Sequence, residues 1–84
     1  MKTVQVRYFA SIREAIGQGG EPVPTQAVTV GALRDELIAR GGAYAESLAR
    51  GRAVRAAIDQ TLCDDTAVLA DGCEVAFFPP VTGG

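Results

Sequence analysis

Two alternating apolar segments, one near each end of the chain, constrain the fold most. In the first, Val4, Val6 and Tyr8 alternate with more polar residues, and in the last, Val75 and Phe77 share one face. A period of two is typical of a β-strand that buries one of its faces. Both ends of the chain are therefore predicted to contribute a strand to the same sheet.

The main helix is predicted between these two strands. Leu33, Leu37 and Ile38 recur at helical spacing, which favours an amphipathic helix over residues 30–40, and Thr29 is in place to be its N-cap. We assign Leu33 and Leu37, together with Val75 and Phe77 of the last strand, to the hydrophobic core.

Shorter elements fill the rest of the chain. Ser11 and Glu14 have the spacing of a capping box and predict a short helix that ends at Gly17. The remaining segments predict an edge strand near residues 23–28, a helical turn over 43–50, a strand over 54–58, a tight turn at 59–60 and a return strand over 61–63.

This order of elements predicts an α+β fold. A mixed sheet of about four to five strands, with the first and last strands central and one main helix packed across it, buries the most apolar surface. That layout is the one of a β-grasp, or ubiquitin-like, domain; the periodicity alone predicts only a generic α+β sheet, and the C-terminal segment and the spacing of the elements narrow it. With 84 residues the chain has room for one core, so we predict a single domain over residues 1–84.

Composition excludes several classes of function. The chain has no histidine, which removes Ser-His-Asp and Cys-His nucleophile systems and the H-E-x-x-H metal helix. A net charge of −2 without a clustered basic face argues against nucleic-acid binding. We therefore expect no catalytic side chains, no metal site and no nucleic-acid partner.

The two cysteines and the N-terminus bear on the compartment. Cys63 and Cys73 are too few for a zinc site and too far apart for a C-x-x-C motif, although a disulfide between them stays open as an alternative. The sequence shows no signal-peptide pattern and no apolar run long enough to span a membrane. We expect a reduced, cytoplasmic protein without a membrane partner.

The C-terminal segment is the most specific part of the sequence. Pro79 and Pro80 end the last strand because neither has an N–H group, and they favour an extended course toward Gly83-Gly84. Residues 79–84 are predicted to be a flexible tail, with a merely frayed terminus as the alternative. Phe9 and Phe78 are aromatic residues on polar strand faces, so they are either partner anchors or covered by adjacent loops.

On these residues the chain resembles the small, sulfur-carrying subunit of molybdopterin synthase, a β-grasp protein. The resemblance runs nearly end to end. It departs from the family pattern at Asp59, where Asn is common, and at Cys73, where an acidic residue is common. The matching segments are Tyr8-Phe9-Ala10, Arg13-Glu14, Leu33, Gln60-Thr61-Leu62 and residues 71–84, which end in Phe77-Phe78-Pro79-Pro80-Val81-Thr82-Gly83-Gly84.

The resemblance implies a function for the tail. An E1-like activating enzyme would use ATP to adenylate the carboxylate of Gly84, and a sulfur-donor protein would convert the adenylate to a thiocarboxylate. The large synthase subunit would then receive the tail, and sulfur would pass to a pterin precursor to form the molybdopterin dithiolene. The chain itself would bind no cofactor. The resemblance implies tail residues Val81, Thr82, Gly83 and Gly84 and partner-binding residues Phe9, Arg13, Phe78, Pro79 and Pro80.

Three other interpretations remain open at this point. A ubiquitin-like modifier would use the same adenylated Gly84 to form isopeptide bonds with target lysines. A sulfur carrier of another pathway, such as thiamine synthesis, would use the same thiocarboxylate. A plain interaction module would have an inert tail.

Overall fold

A computed structural model describes residues 1–80, which form a mixed five-stranded sheet with helices against one of its faces. In chain order the elements are β1 (Lys2–Tyr8), α1 (Ala10–Ile16), β2 (Gly20–Thr25), α2 (Val30–Ile38), α3 (Gly42–Leu48), β3 (Arg55–Ile58), β4 (Thr61–Cys63) and β5 (Glu74–Phe78).

The strand order across the sheet is β2-β1-β5-β3-β4. The first and last strands, β1 and β5, are parallel neighbours, with Val6 opposite Val75, and the other pairs are antiparallel. The three helices all belong to the connections on one side of this sheet. The predicted α+β, β-grasp fold is confirmed, and β5 delivers the C-terminal segment from the middle of the sheet.

The hydrophobic core lies between α2 and the helix-facing side of the sheet. Leu33, Leu37 and Val75 are fully buried, and Phe77 is 1% exposed, as their patterns predict. Burying each such side chain stabilises the fold by about 1.5–3 kcal/mol. These residues fix the register of β5, so every second residue of that strand must face away from the core.

Helix α2 begins where the sequence predicts and ends two residues earlier. The hydroxyl of Thr29 accepts a hydrogen bond from the Ala32 N–H group at 3.2 Å, which satisfies one of the free donors of the first turn. The last helical residue is Ile38, not residue 40.

Arg34 is a buried cation in α2, which the sequence pattern did not predict. The side chain is only 6% exposed within residues 1–80. Its Nε donates to the carbonyl of Leu48 at 2.7 Å, and its Nη2 donates to the carbonyls of Ala49 at 2.7 Å and Arg52 at 3.3 Å. The carbonyls at the end of a helix lack partners within the helix. Arg34 therefore closes the C-terminal end of α3 and joins it to α2.

The predicted capping box at Ser11 and Glu14 is wrong. Helix α1 starts at Ala10, its N-cap is Phe9, and no side chain caps it. The Phe9 N–H group still bonds to the Phe77 carbonyl at 3.2 Å, so the strand pairing extends up to the helix and leaves Ser11 inside it. The predicted end at Gly17 is confirmed, with a left-handed φ of 89°.

The other boundaries shift by a few residues. The edge strand is confirmed, but it runs from Gly20 to Thr25 and not over 23–28, because pairing with β1 already starts at Gly20. The helical turn predicted over 43–50 is α3, Gly42–Leu48. The tight turn is confirmed: Asp59 and Gln60 both have left-handed φ values, 47° and 71°, which is typical of a two-residue hairpin.

Candidate partner-binding site

An open groove of about 780 Å³ lies on the face of the sheet that the helices leave uncovered. Its lining is mostly apolar and comes from four strands, the start of α1, the hairpin turn and the segment after β5. The lining residues are Arg7, Phe9, Ala10, Ala57, Gln60, Leu62, Glu74, Ala76, Phe78, Pro79 and Pro80.

Strand alternation places these side chains. Because Val75 and Phe77 face the core, Ala76 and Phe78 must point to the opposite face, into the open groove. On the neighbouring strand, Tyr8 is buried while the preceding and following residues face the groove. The pattern that builds the core thus also builds the groove.

Four of the five predicted partner-binding residues meet in the groove. Phe9 is 44% exposed, so no adjacent loop covers it within residues 1–80. Phe78, Pro79 and Pro80 are partly exposed and line the groove beside it. The two aromatic side chains therefore mark the end of the groove from which the C-terminal segment leaves the sheet.

Arg13, the fifth predicted partner-binding residue, lies outside the groove lining. It is exposed on α1, and its side chain lies over the loop at Gly19, where a Cβ would stand 3.3 Å from the guanidinium carbon. The predicted tail residues Val81, Thr82, Gly83 and Gly84 lie outside the described residues.

Sequence reasoning missed the far wall and the floor of the groove. Leu62 is 68% exposed on β4, and Ala57 and Ala76 are small side chains beneath it. One signal was present: Leu62 is an apolar residue two positions after a tight turn, on the strand face opposite to Cys63, where there is no core to enter. The two alanines gave no signal, because small residues fit on either face of a strand.

The turn at Asp59 is intact, although the resemblance implies asparagine at this position. Its carboxylate Oδ1 accepts a hydrogen bond from the Glu74 N–H group at 3.0 Å, and its own N–H donates to the Glu74 carbonyl at 2.9 Å. Aspartate and asparagine both tolerate left-handed backbone and bond locally through a side-chain oxygen. Asp59 thus holds the hairpin against β5 and fixes one end of the groove.

Charge in the groove is sparse. Arg7 Nε lies 3.9 Å from Glu74 Oε1, and both side chains are partly exposed, so the pair contributes about 0–1 kcal/mol at most. Residues 1–80 contain no cluster of three His, Cys, Asp or Glu side chains suited to a metal ion, and none of their helices is long and apolar enough to cross a membrane. The groove is a surface for apolar contact.

The cysteines lie away from the groove. Burial, and then the charge of Asp64, raises the pKa of the Cys63 thiol, so this group is not activated as a thiolate. Cys73 is buried, and both thiols are free. Cys63 ends β4, Cys73 comes just before β5, and β3 lies between these two strands, so the two cysteines do not lie on adjacent strands.

Comparison with known proteins places this architecture in a family. The sequence model of the ThiS family matches residues 6–84. The chain belongs to the ThiS family. Among its curated relatives is the molybdopterin synthase sulfur carrier subunit of Escherichia coli K12, which is 43% identical over 96% of this chain and 99% of that protein.

Solved structures extend this ThiS-family comparison. The small archaeal modifier protein 1 of H. volcanii has a TM-score of 0.80 at 24% identity, over 96% of this chain and 100% of that one, which is a likeness of fold alone. A chain from the complex of subunits 1 and 2 of the molybdopterin-converting factor of Helicobacter pylori has a TM-score of 0.68 at 26% identity, over 98% of this chain and 99% of that one.

Proposed function

We propose that this ThiS-family chain is the sulfur carrier subunit of molybdopterin synthase, in which Gly84 carries sulfur as a thiocarboxylate. The observation that carries the proposal is the position of the open groove at the root of the tail. Phe78, Pro79 and Pro80 line the groove and lead directly toward Gly84. A partner that covers the groove therefore lies next to the tail.

The relatives support the same assignment. The E. coli relative that aligns over nearly its whole length has this name, and the H. pylori relative of similar fold comes from a complex of two subunits. By analogy, the large subunit of the synthase covers the open groove of this chain. Its contact with Phe9 and Phe78 holds the two proteins together while the tail enters the partner's active site.

The chemistry fits a chain without catalytic side chains. In the activating enzyme, an oxygen of the Gly84 carboxylate attacks the α-phosphate of ATP and pyrophosphate leaves. Persulfide sulfur from a donor protein then displaces AMP from the acyl carbon, and a reducing thiol cleaves the S–S bond to leave the thiocarboxylate. The thiocarboxylate is anionic and nucleophilic at sulfur near neutral pH, so sulfur transfer to the pterin precursor needs no base from this chain.

The cellular setting is part of the proposal. A cytoplasmic location agrees with the free thiols of Cys63 and Cys73, since disulfides are rare in reducing compartments. This chain then supplies the carrier, and the activating enzyme supplies the nucleotide site.

The test is intact mass followed by turnover. Purified protein is incubated with the activating enzyme, ATP and a sulfur donor. We expect a mass gain of about 16 Da for the thiocarboxylate, and about 329 Da if the adenylate is trapped before sulfur arrives. Omission of ATP is the control, and it should leave the mass unchanged.

The thiocarboxylated protein is then mixed with the large subunit and the pterin precursor. Formation of molybdopterin supports the proposal. A thiocarboxylate that yields no molybdopterin would assign the chain to another sulfur pathway, a ladder of lysine conjugates would assign it to protein modification, and an unchanged mass would leave the tail without a carrier role.

A further inference from the structure

Two alanines form the floor of the open groove. Ala57 of β3 and Ala76 of β5 are register partners, and their exposed fractions are 6% and 9%. Their neighbour Ala56 belongs to the hydrophobic core cluster, whereas these two do not. The two methyl groups therefore point to the helix-free face, where they line the groove and the side chains beside them leave little of either exposed.

The side chains around these methyl groups are much taller. Leu62 is the register partner of Ala57 on β4, and Arg7 is the register partner of Ala76 on β1. Phe78 follows Ala76 on the same face of β5. The two alanines thus form the base of a depression whose sides are the longer side chains. We call this depression the alanine slot, and its residues are Ala57, Ala76, Leu62, Arg7 and Phe78.

The margin of the alanine slot carries a positive charge. Arg55 is the register partner of Phe78, is exposed, and makes no ion pair with any of residues 1–80. The two charges inside the groove, Arg7 and Glu74, face each other. Arg55 lies outside the groove lining and shares a neighbouring pocket with Asp64 and Asp65, but neither carboxylate pairs with it, so its charge is available to a partner.

We propose that the alanine slot receives one large apolar side chain of the synthase large subunit, and that a carboxylate of the same subunit lies beside Arg55. The inference rests on the proposed function and deepens it, because it makes Ala57 and Ala76 the residues that set partner specificity. A knob of leucine or phenylalanine size fills the space between Leu62 and Phe78 and removes both from water. Larger residues at the two alanine positions would occupy that space themselves.

The test replaces each alanine at the base of the slot with a larger residue, so that the slot is occupied by the chain's own side chain. Affinity for the purified large subunit is measured by calorimetry for the wild-type chain, Ala57→Leu and Ala76→Leu. Both variants should bind about tenfold more weakly or worse, because added methylene groups in a filled site cannot be accommodated without strain. The matched control is Gln5→Leu, on the same face of β1 but outside the groove lining, which should bind within about twofold of wild type.

The outcomes separate this inference from the proposed function. If the wild-type chain does not bind the large subunit, the proposed function fails. If wild type binds and both alanine variants bind equally well, the alanine slot is wrong while the proposed function stands. Thermal unfolding identifies a variant that has lost its fold. In that case NMR of the wild-type complex is the deciding measurement. NOEs from the methyl groups of Ala57 and Ala76 to one apolar side chain of the partner support the alanine slot, and their absence overturns it.

The proposed contact of Arg55 with a carboxylate of the partner is tested by the rate of association. Arg55→Gln should lower the association rate several-fold at low salt, and the difference should shrink at about 0.5 M salt, where charges are screened beyond a few ångströms. An association rate that is unchanged at low salt would remove the carboxylate from the proposal.

Discussion

The hydroxyl groups of Tyr8 and Tyr44 donate hydrogen bonds to the same carboxylate oxygen, Oε2 of Glu21, at 2.8 and 2.6 Å. The two rings meet edge to face, with 6.1 Å between their centroids. Arg40 donates to the other oxygen of Glu21 at 3.0 Å. Glu21 thus ties the edge strand β2 to β1, to α3 and to the segment after α2.

Glu21→Gln should destabilise the fold by about 1–2 kcal/mol at neutral pH, because it weakens three hydrogen bonds to a charged acceptor. Partial burial alone would raise the pKa of Glu21, but the hydrogen bonds from Tyr44, Arg40 and Tyr8 outweigh it and lower the pKa below that of an ordinary glutamate. Because the pKa of Glu21 is lower in the folded than in the unfolded protein, its carboxylate stabilises the fold at any pH above the unfolded-state pKa. This stabilisation is lost as the pH falls through the folded-state pKa. Urea unfolding between pH 2 and 7 measures both effects.

The matched control is Tyr44→Phe, which removes one donor and keeps the carboxylate. It should cost less at neutral pH than Glu21→Gln and retain most of the acid dependence. If Glu21→Gln loses stability between pH 5 and 2 as steeply as wild type, the carboxylate does not contribute to the acid sensitivity of the fold.

Arg34→Met should destabilise the protein by about 2–4 kcal/mol, because the carbonyls of Leu48, Ala49 and Arg52 would lose their donors. Arg52→Met is the control: the Arg52 side chain is exposed, and its role in this contact is through the backbone, so the change should stay within about 0.5 kcal/mol. Equal midpoints of urea unfolding for the two variants would show that Arg34 does not close α3.

The adjacent pair Phe77 and Phe78 separates folding from binding. Phe77→Ala should cost about 3–5 kcal/mol of stability, because it empties part of the core. Phe78→Ala should keep the fold and weaken binding to the large subunit by about 2 kcal/mol, as expected for a buried anchor. Thermal unfolding and calorimetry report the two effects. Normal binding by Phe78→Ala would mean that the partner does not cover this end of the groove.

Deletion of Gly84 should abolish thiocarboxylate formation, because it moves the carboxylate away from the α-phosphate of ATP, and a displacement of about 1 Å can cost 100-fold in rate. A C-terminal tag should have the same effect, and an N-terminal tag should not. The measurement is molybdopterin synthesis with the activating enzyme and the large subunit. Wild-type turnover by the shortened chain would show that Gly84 is not the carrier.

The sequence predicted the fold well because local periodicity decided it. The alternation around Val6 and Val75 placed both strands and their buried faces, and Thr29 marked the start of α2. The start of α1 was missed because it depends on a long-range bond: Phe9 continues to pair with Phe77, and this pairing outweighs the local preference of Ser11 for a cap.

The site could be predicted only in part. Phe9 and Phe78 stood out as aromatic residues on polar faces, and the structure places both in the groove. Ala57 and Leu62 come close to them only because β3 and β4 pair beside β5. Local sequence patterns do not predict this part of the strand order. The same holds for Glu21, whose partners come from three distant segments.

The position of β5 has a mechanical consequence if, as proposed, partner proteins bind and pull on the segment that follows it. Pulling on Pro79 and Pro80 loads the pairing of β5 with β1 on one side and with β3 on the other at the same time. The load acts along the strands, so the bonds share it in shear instead of opening one after another. If the last strand were at the edge of the sheet, its hydrogen bonds would break one at a time under the same force. Because β5 is central, a partner can bind and pull the C-terminal segment without unfolding the domain.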